Sequence, residues 1–523
     1  MNNQSFFFNT LLLSCWFLFI ILSFKTAIAD EEDARYLAVD QYALTAPASV
    51  TKSISTLSAY LTKPFKTDAE KARAIFRWIT DNVSYDVEGF FSDRVSASAS
   101  SDVLQSRSSV CSGYSTLFEE LGKAAGLQVA TIDGYAKGFG YQPGDKIPEK
   151  SNHTWNAVKI DGQWKMIDCT WGAGKVDDDH AYRKEFEPYY FFTKPEEFAY
   201  RHLPMEKSWQ LLSRPISRQE FMNLPLVEPI FFQYGFIIDS LQSAELDMES
   251  EGTLKFSVSF DILCSADLSQ KEKKWENVTL VQRDGSSFSI RILPPSPGEY
   301  TLNIYARKVN SDGILPLAVR YKIIARSSGK KSASFPVTFG TFVEKNVQLH
   351  SPLSKELASG SIQVFSLTVP GAEKVSVVCG EEWDFLKKTG TQFEGTIEIG
   401  AGKVDVYAQY PGESNFQQLL EYVGTGSFDR EPAPVKFQQY MNTEAELVEP
   451  LKKILSAGSK QFFRIKMPGA QKAAVVQGEY YQFLEKHGDY FEGTIKIYTG
   501  TTMVVGAYSN TTRFEGLLEY EGK

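Results

Sequence analysis

Residues 152–171 read NHTWNAVKIDGQWKMIDCTW. Two runs rich in apolar and β-branched residues flank Asp161-Gly162, a dipeptide whose left-handed backbone preference suits a two-residue hairpin turn. The stretch predicts a strand from Asn152 to Ile160 and a second from Gln163 to Trp171. A two-residue turn pairs Ile160 with Gln163. That register sets His153 opposite Thr170 and Trp155 opposite Asp168. Because side chains alternate faces along a strand, His153 and Asp168 then share a face as diagonal neighbours, roughly 7–8 Å apart at the backbone. Cys169 points the other way and is expected to be a core thiol. A turn one residue longer, or a bulge, would undo the arrangement.

An imidazole beside a carboxylate can be oriented by it and stabilised as a cation. A thiol completes the chemistry, and upstream the chain reads Arg107-Ser108-Ser109-Val110-Cys111-Ser112-Gly113-Tyr114. Ser92 to Ser101 is Ser-rich and free of aromatics, the composition of a surface loop. After it, Tyr114, Leu117, Phe118, Leu121 and Ala125 recur at helical spacing, and Gly126 provides a stop. Cys111 therefore sits where a loop meets a helix. Free N–H groups there favour a thiolate by about 0.3–1 kcal/mol, and a histidine partner would contribute most of the activation. Of the five histidines, at 153, 180, 202, 350 and 487, His153 has the hairpin carboxylate. His180 follows Asp177-Asp178-Asp179 in what reads as an exposed acidic loop. Gln105 reads as a solvated residue, and the backbone N–H groups near Cys111 are the better oxyanion donors. Trp155, Trp164 and Trp171 read as hairpin packing, with one of them available to roof a groove.

Further upstream, Thr67 and Glu70 form a capping-box pair, and Ala72, Ile75, Phe76, Ile79 and Val83 make one apolar helical stripe. Arg73, Arg77 and Asp81 fall on other faces, and Trp78 reads as packing.

Three strings in order, Cys111-Ser112-Gly113-Tyr114, His153-Thr154-Trp155-Asn156 and Asp168-Cys169-Thr170-Trp171-Gly172, resemble the core of the transglutaminase-like superfamily. Lys71 to Ile79, Tyr85-Asp86, Tyr190-Phe191-Phe192, Pro195 to Phe198, His202-Leu203-Pro204 and Trp209 to Leu212 resemble its kyphoscoliosis-peptidase-like branch. The resemblance covers about residues 35–225. It implies a papain-like α+β core with Cys111 as nucleophile, His153 as general acid/base and Asp168 as orienting carboxylate. The reaction would be acyl transfer through a thioester to water (peptidase or deamidase) or to an amine (crosslinking), on a protein or peptide substrate. It needs no cofactor, and no metal ligands are carried over. His202 is expected to make a structural hydrogen bond.

Past residue 225 the texture changes to short alternating strands. An offset of 98 residues maps Phe339 onto Phe437, Pro370-Gly371-Ala372 onto Pro468-Gly469-Ala470, Phe393 to Ile397 onto Phe491 to Ile495, and Leu419 to Tyr422 onto Leu517 to Tyr520. Residues 336–433 and 434–523 thus repeat one module, and 226–335 resembles a distant third copy, each an immunoglobulin-like β-sandwich in pattern. His350 and His487 are not equivalent under this offset and read as surface residues. The expected organisation is a core at 30–225 followed by these three all-β modules.

Residues 1–29 carry an uncharged apolar run, Leu11 to Phe24, and then Ala27-Ile28-Ala29 before an acidic start at Asp30. This is the pattern of a secretory signal peptide, so the chain is expected to be secreted or periplasmic. An uncleaved membrane anchor is the alternative. Cleavage leaves Cys111, Cys169, Cys264 and Cys379, spaced unlike any disulfide scaffold or zinc motif. A net charge of −9 with scattered Lys and Arg excludes a nucleic-acid partner. The competing functional reading is a catalytically silent scaffold that holds a surface partner through its β-modules.

Overall fold

The computed structural model describes residues 36–523 except 93–96, 239–242, 259–261, 328–333, 381, 429–432, 438, 441–442, 444 and 509–512. The expected signal peptide lies outside the described residues. Among the described residues no helix is long and apolar enough to cross a membrane.

The expected capping box closes around helix α1 (Asp68–Asn82), with both reciprocal bonds between Thr67 and Glu70 present. Ala72, Ile75, Phe76, Ile79 and Trp78 are buried on it. Arg73, expected on an outer face, is also buried. Its guanidinium makes two 2.7 Å bonds to Asp40 and stacks among the Tyr36, Phe76, Phe186 and Phe191 rings. A paired and stacked guanidinium tolerates the interior that a lone cation would not. Helix α2 (Cys111–Ala124) buries Tyr114, Leu117, Phe118 and Leu121 and stops at Gly126, whose φ is +81°. The preceding Ser-rich region is not all loop. Ser100–Ser106 is a helix that buries Val103 and Leu104.

The helices pack on a five-stranded antiparallel sheet. Its strands are β1 (Val129–Ala136), β2 (His153–Ile160), β3 (Gln163–Ile167), β4 (Phe191–Thr193) and β5 (His202–Pro204), in the order β4-β3-β2-β1-β5. The β2–β3 ladder runs from Ile160↔Gln163 to Asn156↔Ile167, the register that a two-residue turn imposes. Asp161 and Gly162 carry the two positive φ values, 49° and 80°. The strand expected to reach Trp171 ends at Ile167, however, and Cys169–Ala173 is a one-turn helix capped by Asp168. The sandwich of helices and sheet shares one apolar core.

Beyond the core, residues 226–325 supply a six-stranded sheet, with Gly298–Lys308 and Leu317–Ala325 at its centre. The chain divides into two compact units. One holds the core and this sheet; the other holds residues 276–295 and everything from 329 onward. In the second unit the two repeat copies have identical strand orders, a six-stranded sheet and a four-stranded one apiece. Repeated residues repeat their contacts. The Tyr422 hydroxyl donates to the Pro352 carbonyl at 3.0 Å, and that of Tyr520 donates to Pro450 at 3.1 Å. The architecture is a transglutaminase-like α+β core followed by immunoglobulin-like β-sandwich modules.

Candidate active site

Cys111 is the first residue of α2 and is half-buried. Its approach is fixed by a short parallel pair in which Tyr85 lies beside Ser109. Ser109 also donates its hydroxyl to the Ala97 carbonyl. The helix is pinned to β2 by side chains rather than by apolar contact alone. Ser115 Oγ donates to the Thr154 carbonyl at 2.9 Å, and Asn156 Nδ2 donates to the Ser115 carbonyl at 3.1 Å. These bonds set the thiol against the start of β2, where His153 lies buried.

The carboxylate does not reach His153 from the strand face, as the hairpin geometry alone implies. Asp168 leaves the ladder and caps the short helix, its Oδ1 accepting from Thr170 N at 2.9 Å and Trp171 N at 3.1 Å. Its Oδ2 is thereby turned toward His153 Nε2, 2.7 Å away. With Nε2 engaged by the carboxylate, Nδ1 is the ring nitrogen left for the thiol. Trp171, carried past Asp168 by the same turn, stacks on His153 with centroids 5.2 Å apart. The structure thus brings Cys111, His153 and Asp168 together, the three candidates of the sequence. Cys169 is buried behind them, and burial raises its thiol pKa well above the ordinary value.

The electrostatics follow from these contacts. Burial opposes ionisation of Cys111. The hydrogen bond and charge of His153 and the Thr154 backbone N–H outweigh it, and the thiol pKa falls below its usual value. Burial also opposes protonation of His153. The charge and hydrogen bond of Asp168, aided by Cys111, reverse this and raise the imidazole to about 10. Asp168 is held far below the usual carboxylate range. Its burial is outweighed by His153 and then by His202. This is the charge pattern of a thiolate–imidazolium pair with an ionised orienting group.

A second histidine completes the carboxylate's shell. His202, on β5, places Nε2 3.0 Å from the same Oδ2. Phe198 stacks on it at 3.8 Å, Trp171 lies 4.4 Å away, and its Nδ1 is buried without a partner. Burial holds it neutral, its pKa lowered to about 4 despite Asp168, so Nε2 carries the proton and donates. His153, Asp168 and His202 have the composition of a cation site. Yet both nitrogens lie at hydrogen-bond distance from one oxygen, with no room for an ion between them. Sequence reading placed a hydrogen-bonding role on His202 but not its partner.

Two other groups escaped sequence reading, because no local pattern marks them. Arg201 pairs with Glu228 at 2.7 Å, donates twice to the Lys137 carbonyl, and lies over Trp171 at 4.6 Å, clamping the ring that covers His153. Lys137 is buried, its ammonium on the Leu224 carbonyl at 2.5 Å, and burial followed by the Arg201 charge lowers it to about 7. Gln105 is exposed on the helix before Cys111. In the Asp177–His180 turn, the Asp177 carboxylate is taken up by the N–H groups of Asp179 and Ala181 and by Arg183. This is a turn-forming role rather than a ligand set.

Residues 55–169 match the model of the transglutaminase-like superfamily, a span that contains Cys111, His153 and Asp168. The chain thus carries a transglutaminase-like domain over these residues. Residues 218–336 match the KY-like, immunoglobulin-like domain. Kyphoscoliosis peptidase of Mus musculus is 25% identical over 473 residues, covering 85% of this chain and 70% of its own. The Homo sapiens kyphoscoliosis peptidase is 26% identical over 467 residues, covering 82% and 68%. Hillarin of Drosophila melanogaster is 31% identical over 301 residues, covering 52% and 36%. A transglutaminase-like domain followed by a KY-like, immunoglobulin-like domain, with these relatives, supports a likeness to the kyphoscoliosis-peptidase-like branch.

Proposed function

We propose that this chain is a thiol acyl-transfer enzyme acting on protein or peptide substrates. Cys111 attacks a carboxamide or peptide carbonyl, His153 passes its proton to the departing amine, and a thioester remains on Cys111. Water or a primary amine then resolves the thioester, with His153 removing the attacking proton. Asp168 holds the imidazole in the tautomer that keeps Nδ1 toward the thiol. The observation that carries this reading is the single run of contacts from the Cys111 thiol through His153 to an Asp168 carboxylate 2.7 Å from Nε2. We further propose that the chain works outside the cytoplasm, on the strength of the apolar run and small-residue site before Asp30.

The test is incubation of the purified chain with a mixed peptide library and a small primary amine, followed by mass spectrometry, with Cys111→Ala as control. Cleavage, deamidation or amine adducts that vanish in the variant support the enzyme and identify its outcome. Products that persist in the variant sink it.

A second reading has its own support. In both repeat copies an outward aromatic group recurs at the same three positions. Trp383 and Phe385 pack on Phe416, and Tyr481 and Phe483 pack on Phe514. Such faces suit a surface partner, which would tether the core through two similar contacts.

A further inference from the structure

Next to the candidate active site is a cluster of aromatic rings that the chemistry above does not use. Phe90 and Phe91 come from the helix Val87–Phe91, Phe139 from the loop after β1, and His180 from the Asp177 turn. Phe91 packs edge-on to Phe90 at 5.0 Å and to Phe139 at 5.4 Å. His180 stacks on Phe91 at 4.3 Å and 9°. Three separate segments converge to build this group. All three phenylalanines are nonetheless 41–47% exposed, which leaves a costly area of apolar surface in water.

The cluster is continuous with the site. Asp86, which caps the Phe90–Phe91 helix, is bonded through its N–H to the Ser109 carbonyl, two residues before Cys111. Phe90 touches Tyr85 at 5.7 Å, and the Tyr85 phenol feels the charges of Cys111 and Asp168. On the other side Phe139 follows Gly138, where an added Cβ would come within 3.5 Å of Trp171, the ring that stacks on His153. The His180 turn is held in shape by the Asp177 carboxylate, and His180 itself sits at φ +59°. This backbone is rare for a residue with a side chain, and it presents the imidazole to Phe91.

We propose that Phe90, Phe91, Phe139 and His180 form a substrate subsite that receives a large apolar or aromatic side chain of an extended polypeptide acyl donor. The proposal rests on the thiol acyl-transfer reading of Cys111. Two ring-to-ring steps, of 5.7 and 5.0 Å, lead from Tyr85 to Phe91, the ring on which the other three meet. An extended chain advances about 3.3–3.6 Å per residue, so the recognised side chain lies about two to four residues from the reacting glutamine or peptide bond. The exposed carboxylates of Asp178 and Asp179 border the same turn and favour a substrate that is not acidic there.

The test uses the full chain with Cys111→Ala, so that binding is read without turnover. Twelve-residue peptides centred on glutamine carry a single Phe, or Ser in its place, at each flanking position. Calorimetry should find one or two positions, two to four residues from the glutamine, where Phe binds about tenfold more tightly than Ser. Phe91→Ser and, separately, Phe139→Ser on the same background should abolish that preference. No preference for Phe at any position, or one that survives both substitutions, overturns the subsite. So does a chain that self-associates through this face and becomes monomeric in Phe91→Ser. Acylation of the unsubstituted chain by 4-nitrophenyl acetate, lost in Cys111→Ala, reads the thiol chemistry independently, so failure of the enzyme reading is distinguished from failure of the subsite.

Discussion

His202 Nε2 and His153 Nε2 both donate to Oδ2 of Asp168, at 3.0 and 2.7 Å, while two backbone N–H groups occupy Oδ1. Four donors on one buried carboxylate hold it ionised. His202 is therefore a positioning residue whose contribution passes through Asp168 to His153. Replacing it by Phe removes one donor and keeps the ring packing. A hydrogen bond to a charged group contributes about 1.5–3 kcal/mol. Cys111-dependent turnover in His202→Phe should drop about ten- to a hundredfold, and the low-pH limb of Cys111 alkylation should move upward. His202→Gln, which retains a donor, should recover part of both. Equal loss in the two variants, with no movement of the pH profile, would assign His202 to packing alone.

The same residue predicts how the core responds to acid. The folded pKa of His202 is about 4, against about 6.5 in an unfolded chain. The unfolded state binds the proton more readily, so stability present above pH 6.5 is lost as pH falls toward 4, by about 3 kcal/mol at most. His153, raised in the folded state, gains stability as the pH falls toward its unfolded value near 6.5 and so offsets only the first part of this loss, while Asp168 titrates below the window. Thermal unfolding followed between pH 7 and 4 should show this decline, and His202→Gln should flatten it. An unchanged slope in the variant would mean that other groups set the acid response.

Cys111 should also betray its partner in its reactivity. An ordinary thiol loses about tenfold in alkylation rate for each unit below pH 8.5. Here the thiol pKa is lowered and the imidazole is raised to about 10, so the iodoacetamide rate should hold its plateau below the usual thiol limb. In His153→Ala the limb should return to the ordinary position or above, since burial then acts unopposed. A wild-type profile identical to that of a free thiol would refute the pairing.

The register of the β2–β3 hairpin was readable because Asp161-Gly162 allows one turn length, and one turn length permits one pairing. What followed was not readable. Asp168 continues the alternation of Trp164 and Met166 and looks like a strand residue, but its carboxylate satisfies the next two N–H groups better than an edge position would. That local competition bends the chain and delivers Trp171 onto His153. The helix at Ser100–Ser106 was hidden because only Val103 and Leu104 interrupt a polar run. His202 carries no local signal of its own, since its meeting with Asp168 depends on β5 pairing at the far edge of the sheet. Arg73 was misplaced because its partner Asp40 lies on a separate segment.

That ion pair gives a prediction of stability alone. Arg73 and Asp40 are bonded twice at 2.7 Å in a nearly buried setting. Removing one partner strands the other, at a cost of about 3 kcal/mol. Arg73→Met should lower the unfolding free energy of the core by about that amount, measured by urea titration. The double variant Arg73→Met with Asp40→Leu should recover much of it. A double variant as unstable as the single one would mean that the loss comes from the ring packing around Arg73 and not from the stranded carboxylate.

Gly134 offers the sharpest separation of site from scaffold. It is the ladder partner of His153 across β1 and β2, and it also pairs with Pro204 on β5. A Cβ added there would lie 2.3 Å from the Trp155 ring and 2.5 Å from the Leu203 carbonyl. Trp155 is buried between His153 and His202, and it cannot retreat without moving one of them. The Leu203 carbonyl belongs to β5, so relief in that direction shifts His202 away from Asp168. Gly134→Ala should therefore reduce Cys111-dependent turnover by more than the His202→Phe variant does, while the Cys111 helix, pinned independently through Ser115 and Asn156, keeps its place. Turnover together with the near-ultraviolet circular dichroism of the tryptophans checks this. Full activity with an unaltered tryptophan spectrum would show that the sheet absorbs the extra carbon without disturbing the histidines.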